Sequence, residues 1–214
     1  TFSGDTRFDR VSSQLNIDNT LGFIADFKSD KLCVVAGSTW PEDETLLIKF
    51  INKKLSQDVK IIIAPHNIKS SQIKNIQESL DIDSVLFSEK ENHDLKTHQM
   101  FIIDTIGLLT KIYNYADIAY VGGGMGNTGL HNSLEPAVFG VPIIIGKNYK
   151  EFPEAKDMID NGGMFSISNQ NQFNIILNKL INDSEKRRDC GTKNKTFIEK
   201  NEGAVIQILD YLRI

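Results

Sequence analysis

The sequence predicts an α/β fold built on a doubly wound parallel β-sheet. Apolar runs rich in β-branched residues recur along the chain, and each is followed by a polar stretch whose apolar residues have helical spacing. No repeat, low-complexity tract or internal linker interrupts this alternation. Strands that alternate with helices form βαβ units, and their parallel sheet is covered by helices on both faces. We therefore predict a single domain over residues 1–214.

Six runs have the length and composition of buried strands, at 32–36, 59–64, 85–87, 101–104, 118–121 and 142–145. Helical spacing occupies the segments 42–55, 70–80, 108–115, 133–139 and 152–160. From 170 to 214 the pattern is helical almost throughout, and we interpret its charged part, 184–195, as a solvent-exposed surface.

The composition excludes several classes of function. The formal net charge of -4 argues against a broad nucleic-acid-binding surface, which needs clustered Lys and Arg. The two cysteines and four histidines have neither disulfide nor metal-ligand spacing, and we expect Cys33 to be a buried core residue. No apolar run approaches the length of a membrane span. The chain begins without Met, and we expect it to be a piece of a longer protein.

The loops that follow the strands are where such a sheet binds ligands, at the carboxyl ends near the point where strand order reverses. They are residues 37–41, 65–67, 104–107 and the glycine loop that begins at Gly122. Within that loop, Gly124–Gly129 matches the dinucleotide-binding pattern G-x-G-x-x-G. That pattern belongs after the first strand of its unit, with an acidic residue closing the next strand, but this loop follows the fifth strand and the next one ends in Gly146-Lys147. We therefore reject a dinucleotide site, and residues 140–147 fail the Walker pattern because they contain one residue too many.

Five glycines within eight residues still favour an anion site over a simple tight turn. We expect the loop to expose backbone N–H donors and to lead into a helix whose N-cap is Asn132 or Ser133, since helix N-termini attract anions. Glu135 lies one turn into this helix. It either complements the helix dipole or accepts hydrogen bonds from ribose hydroxyls.

Several motifs resemble a known family. They are "GDTRFDRV" at 4–11, "GSTWPEDE" at 37–44, "APH" at 64–66, "DTIGLLTKIYNYADIAYVGGG" at 104–124 and "GLHNSLEPAVFGVPIIIG" at 129–146. In this order they resemble the C-terminal half of the 3-deoxy-D-manno-octulosonic acid (Kdo) transferases, which move Kdo from CMP-Kdo onto a lipid A precursor in lipopolysaccharide biosynthesis.

The resemblance implies a Rossmann-like domain, the C-terminal half of a GT-B glycosyltransferase, that binds the donor CMP-Kdo without a cofactor. An N-terminal domain outside this chain then carries the acceptor site, the membrane contact and the catalytic base of an inverting reaction. The whole enzyme is expected at the cytoplasmic face of the bacterial inner membrane, whereas this fragment alone is expected to be soluble and inactive. Residues 1–20 are interpreted as the interdomain connection and 183–214 as C-terminal helices.

The resemblance also implies a set of donor-binding residues. These are Ser38, Thr39, His66, Ile106, Gly107, Leu108, Gly122, Gly123, Gly124, Asn127, His131, Asn132 and Glu135. The resemblance implies that the glycines, Asn127, His131 and Asn132 surround the phosphate and the Kdo carboxylate. It implies that Ser38 and Thr39 supply hydroxyl donors near the phosphate and that Glu135 binds the ribose. Two departures stand out, because many relatives have Arg in place of Pro65 and Glu in place of Leu108.

Two alternatives remain open from the sequence. One is a GT-B enzyme that uses a UDP-sugar, either a transferase or a 2-epimerase, and the other is a non-enzymatic nucleotide-binding module. His66 and His131 are equally well interpreted as neutral, hydrogen-bonded loop residues, although their places at strand and helix ends favour function. His93 and His98 lie in a polar stretch, and we expect them to be exposed.

Overall fold

The structure is a computed structural model and describes residues 4–212. The ends of the predicted connection and of the predicted C-terminal helices, residues 1–3 and 213–214, lie outside the described residues. The described chain folds around one seven-stranded sheet in the order β3-β4-β2-β1-β5-β6-β7, with every neighbouring pair parallel. The strands are β1 Leu32–Thr39, β2 Val59–Pro65, β3 Ser84–Leu86, β4 Met100–Ile102, β5 Ile118–Val121, β6 Ile143–Ile145 and β7 Met164–Ser166.

Helices connect the strands and cover the sheet. They are α1 Thr6–Ser13, α2 Gly22–Lys28, α3 Pro41–Lys54, α4 Ser70–Glu78, α5 Leu109–Ile112, α6 Leu134–Ala137, α7 Pro153–Asp160, α8 Gln170–Asn182, α9 Ser184–Asn201 and α10 Ala204–Leu212. Short 3₁₀ turns occupy Gln14–Asn16, Phe87–Asn92, Leu95–Thr97 and Tyr113–Tyr115. None of the helices within residues 4–212 is long and apolar enough to cross a membrane.

Two apolar layers enclose the sheet, because successive side chains of each strand point to opposite faces. In β1, Val35 packs in one layer with Ile62 of β2, whereas Val34 packs in the other with Ile61 and Ile63. Strands buried on both faces explain why their sequences are continuous apolar runs rather than alternating ones. Cys33 is fully buried, as the sequence predicted.

The six predicted strands and five predicted helices are present, with ends that differ by up to three residues, and the predicted helix 108–115 is α5 followed by a 3₁₀ turn. The prediction missed β7, which has only three residues, and also α1 and α2. Helix α1 lies within the predicted connection and is attached to the rest of the domain. Arg7 donates to both carboxylate oxygens of Glu154 on α7, at 2.7 and 3.2 Å, and Asp9 accepts the backbone N–H of Gly203 at 2.9 Å.

The prediction that segment 184–195 is a solvent-exposed surface was wrong for one face of α9. Cys190, Gly191 and Asn194 are buried there. The side chain of Asn194 donates to the carbonyl oxygens of Val141 and Gly163, at 2.7 and 2.9 Å. A single buried stripe of small or amide side chains within a charged helix carries little hydrophobic signal, so the packing of this helix was invisible in the sequence.

Candidate functional site

The candidate site lies where the strand order reverses. The central strand β1 has β2 on one side and β5 on the other, so the loops after β1 and β5 leave the sheet next to each other. This is the position at which open parallel sheets bind ligands. The loops after β2 and β4 leave from the same carboxyl end of the parallel sheet, which brings the predicted site residues to one end of the domain.

The glycine loop after β5 is closed by backbone hydrogen bonds. The N–H of Gly122 donates to the carbonyl of Gly37 at 2.9 Å, and the N–H of His131 donates to the carbonyl of Gly122 at 3.1 Å. A Cβ on Gly122 would lie 2.3 Å from the carbonyl oxygen of Ser38. Gly123 has a φ of +90°, and a Cβ there would lie 2.0 Å from the carbonyl oxygen of Gly129. The glycines are therefore required by close approach of the backbone to itself.

The buried carboxylate of Asp43, on the first turn of α3, is hydrogen-bonded to the backbone of this loop. Its Oδ2 accepts the backbone N–H of Gly123 at 2.8 Å and that of Trp40 at 2.9 Å, and its Oδ1 accepts the hydroxyl of Tyr120 at 2.6 Å. The prediction missed Asp43. The available signal was its place as the third residue of the helix that begins at Pro41, where an acidic side chain reaches back to the backbone of the residue before the helix, Trp40.

The expected donor set of the glycine loop changes as a result. The N–H groups of Gly122 and Gly123 donate to Gly37 and Asp43, so, contrary to the prediction, they are not exposed donors. Within the part of the chain that the structure describes, none of the N–H groups from Gly124 to Gly129 donates an internal hydrogen bond. Any anion bound by this loop is therefore held by the later N–H groups.

The helix after the loop contributes less than predicted, since α6 has only four residues and a short helix has a weak dipole. Of the two N-cap candidates, Asn132 makes the contact: its side-chain oxygen accepts the N–H of Leu134 at 3.1 Å. Its amide donates to Glu135 at 3.1 Å, and the Thr110 hydroxyl donates to the other Glu135 oxygen at 3.4 Å. Burial raises the pKa of Glu135, against the opposing effect of these two hydrogen bonds. Glu135 is thus a half-buried carboxylate at the edge of the site.

Three aromatic rings from three loops meet beside the glycine loop. The indole Nε1 of Trp40 donates to Nε2 of His131 at 2.9 Å. The exposed ring of His66 stacks on Trp40, with 4.7 Å between centroids and 18° between planes, and lies 4.5 Å from the ring of His131. Partial burial and the nearby His66 lower the pKa of His131, while Asp43 opposes this shift. The structure therefore brings both predicted histidines together, and adds a tryptophan that the prediction did not include.

Ser38 and Thr39 differ in what they can offer. Ser38 has a φ of +54° at an irregularity in the pairing of β1 with β2, and it is only partly buried. Thr39 is fully buried, and its hydroxyl donates to Glu44 at 3.1 Å. The hydroxyl of Thr39 therefore faces the protein interior, contrary to the donor role that the resemblance implied. Glu44 also accepts from Gln72 at 2.8 Å, and burial raises its pKa.

The remaining predicted residues lie at the rim. Ile106 is 78% exposed, Gly107 has a φ of +87°, and Leu108 packs against the core. Asn127 is exposed on the glycine loop and lines a cavity of about 510 Å³ together with Lys147 and Lys150. Among residues 4–212, no three His, Cys, Asp or Glu side chains are placed to hold a metal ion. The predicted exposure holds for His93, whereas His98 is only partly exposed.

Comparison with known proteins supports the relationship that the motifs indicated. No family model matches the chain. A bifunctional glycosyltransferase/methyltransferase from Fusobacterium nucleatum is 31% identical over 183 residues, which cover 84% of this chain and 28% of that protein. The 3-deoxy-D-manno-octulosonic acid transferase of Haemophilus influenzae is 25% identical over 193 residues, which cover 87% of this chain and 45% of that protein. The chain thus spans less than half the length of these relatives.

Solved structures show the same fold. The C-terminal CMP-Kdo binding domain of WaaA from Acinetobacter baumannii matches 91% of this chain and 100% of that domain, with a TM-score of 0.70 and 20% identity. HepE from Anabaena, solved in complex with UDP-glucose, matches 98% of this chain and 53% of its own, with a TM-score of 0.59 and 12% identity. The chain is accordingly related to the 3-deoxy-D-manno-octulosonic acid transferases, and it has the fold of the Rossmann-like C-terminal domain of GT-B glycosyltransferases.

Proposed function

We propose that this chain is the donor-binding domain of a Kdo transferase that uses CMP-Kdo in lipopolysaccharide biosynthesis. The observation that carries the proposal is the glycine loop at the switch point of the sheet, with His131 and Glu135 beside it, in a chain related to transferases of that name. Such a loop suits a phosphate, since backbone N–H groups from Gly124 to Gly129 have no internal acceptor among the described residues.

The chemistry of the proposed reaction fits these groups. The bond between the anomeric carbon of Kdo and the phosphate oxygen breaks, its electron pair passes to that oxygen, and CMP leaves. Preorganised N–H groups stabilise the negative charge that grows on the phosphate oxygens. A carboxylate at the position of Glu135 accepts hydrogen bonds from the ribose hydroxyls, as acidic residues do in other nucleotide sites. The proposal involves no metal and no cofactor.

The remaining steps are assigned to a part of the enzyme outside this chain. The acceptor hydroxyl of a lipid A precursor attacks the anomeric carbon with inversion, and its proton passes to a general base. We place that base, the acceptor site and the contact with the cytoplasmic face of the inner membrane on the N-terminal domain of the whole enzyme. The isolated chain is then expected to bind CMP without catalysing transfer.

Calorimetric titration of the chain with CMP, CDP and UDP tests the proposal. We expect CMP to bind and UDP to bind at least about tenfold more weakly, because a hydrogen-bonding site for cytosine leaves unpaired groups against uracil. Replacement of Glu135 by Gln is expected to weaken CMP binding about tenfold through loss of a charged acceptor. Glu199→Gln, on the exposed face of α9, serves as the matched control and should bind CMP unchanged. Binding of UDP with no response to CMP would contradict the proposal.

A UDP-sugar enzyme remains the second candidate, because the UDP-glucose complex of HepE shares this fold over nearly the whole chain. A likeness at 12% identity concerns the fold alone, so it does not indicate whether this chain binds a uracil or a cytosine nucleotide. The nucleotide titration separates the two candidates directly. If none of the three nucleotides binds, both enzymatic readings lose their support.

A further inference from the structure

The hydrogen bond between Trp40 and His131 determines which ring nitrogen of His131 carries the proton. The indole Nε1–H can only donate, so the Nε2 atom of His131, 2.9 Å away, must be the unprotonated nitrogen. In a neutral imidazole the proton then resides on Nδ1, and the ring offers an N–H donor at that atom. A free histidine exchanges between both tautomers, whereas this one is held in a single form by its partner.

His131 is well placed to use that donor. It ends the glycine loop, and its backbone N–H donates to Gly122. Its Cδ2 lies 3.0 Å from the position that a Cβ on Gly123 would occupy, so the ring lies against the loop backbone. Within residues 4–212, Nδ1 of His131 makes no hydrogen bond to another group of the chain. His131 is a partly buried residue at the end of a loop rich in unengaged N–H groups, and a further N–H donor at that place is suited to a bound anion.

The surroundings keep the ring neutral. The titratable groups that face it are His66, whose ring lies 4.5 Å away, and the buried Asp43 below the loop. Burial and His66 disfavour a second proton on His131, while Asp43 favours one. A second proton would have to bind at Nε2 and would break the bond from Trp40, so this bond also favours the neutral ring.

We propose that Trp40 is a positioning residue, which holds His131 as the Nδ1–H tautomer so that His131 donates a hydrogen bond to the phosphate of the bound nucleotide. This inference rests on the proposed function for the identity of the ligand. The tautomer itself is a property of the chain without ligand.

The tautomer is measured by long-range ¹H–¹⁵N correlation spectra of the ¹⁵N-labelled chain, with the signals of His131 assigned by their loss in His131→Gln. We expect an unprotonated Nε2 and a protonated Nδ1 in the unliganded chain, and a shift of the Nδ1 signal on addition of CMP. In Trp40→Phe, which retains an aromatic ring for the stack with His66, we expect averaging of the two tautomers and a higher pKa of His131. If Trp40 served only to fill space, its replacement by Phe would change neither the tautomer nor the pKa of His131.

The same variants are titrated with CMP. Trp40→Phe is expected to bind CMP about tenfold more weakly, the scale of one hydrogen bond to a charged group. Tyr115→Phe is the matched control, because it removes an aromatic hydrogen-bonding group that contacts Leu21 instead, at 2.6 Å, and it should leave CMP affinity unchanged.

Each failure has a distinct meaning. A wild-type His131 protonated at Nε2 overturns the inference even if every variant fails to fold. An unchanged tautomer or an unchanged CMP affinity in folded Trp40→Phe overturns it as well. If the unsubstituted chain binds no CMP, the proposed function and the ligand half of the inference fall together, whereas the tautomer spectra still decide the role of Trp40.

Discussion

The carboxylate of Asp43 accepts a 2.8 Å hydrogen bond from the backbone N–H of Gly123, 80 residues further along the chain. This contact joins the first turn of α3 to the glycine loop after β5. Both backbone donors that reach Asp43 converge on one oxygen, Oδ2, while the Tyr120 hydroxyl bonds the other. The conformation of the loop therefore depends on a side chain that lies outside it.

Replacement of Asp43 by Ala leaves two buried donors and one partly buried donor without an acceptor, and we expect it to lower the free energy of unfolding by at least about 3 kcal/mol. Asp43→Asn should cost only about 1 kcal/mol, because its oxygen can accept both N–H groups while its amide donates to Tyr120. Urea denaturation of both variants measures this difference. Equal losses in Ala and Asn would show that the arrangement of the three donors is not what matters.

A matched pair of glycines separates backbone strain from steric exclusion in the site. Gly123 and Gly107 have nearly the same φ, +90° and +87°, but a Cβ on Gly123 would lie 2.0 Å from a carbonyl oxygen, whereas one on Gly107 would meet nothing within 4 Å. We expect Gly107→Ala to cost about 1 kcal/mol from the left-handed conformation alone.

Gly123→Ala should exceed that cost by several kcal/mol, or prevent folding, since the loop must move to admit the methyl group. Thermal and urea unfolding of the two variants provide the comparison. Similar stabilities for the pair would mean that the glycine loop adapts readily, and that close packing of its backbone is not a constraint.

The buried carboxyl of Glu44 is expected to make the free energy of unfolding depend on pH, with a sign that follows from its raised pKa. Burial raises its pKa above the ordinary value of 4.5, although hydrogen bonds from Gln72 and Thr39 oppose the shift. The folded chain then binds more protons at Glu44 than the unfolded one between about pH 4.5 and the raised folded-state pKa. The contribution of Glu44 to stability is therefore complete below that pH and is lost as the pH rises through the folded-state pKa.

Glu44→Gln removes this ionisation and keeps an oxygen for both donors. We expect the stability of the variant, relative to the unsubstituted chain, to increase between pH 4.5 and pH 7.5 in urea denaturation. Glu199→Gln, an exposed position on α9, should show no such trend. A difference between variant and parent that is constant with pH would refute the assignment to Glu44.

Local sequence by itself determined the alternation of strands and helices and the end of the sheet at which the candidate site lies. Buried parallel strands are continuous apolar runs, and this signal places Ile118–Val121 and the loop after it without knowledge of the fold. It fails for β7, where only Met164 and Phe165 are apolar and no residue is β-branched. It fails also for the buried stripe of α9, where Asn194 faces backbone carbonyls from two distant loops.

Tertiary structure alone decided how the site is assembled. The N–H of Gly123 donates to Asp43, and Trp40 donates to His131, 91 residues further along the chain. The Thr39 hydroxyl points inward and donates to Glu44 on the helix that follows. No local pattern encodes them, since hydrogen bonds between side chains distant in sequence depend on the strand order that places β1 beside β5. The sequence determined which loops form the site, and the order of the strands in the sheet determined which of their groups remain for a ligand.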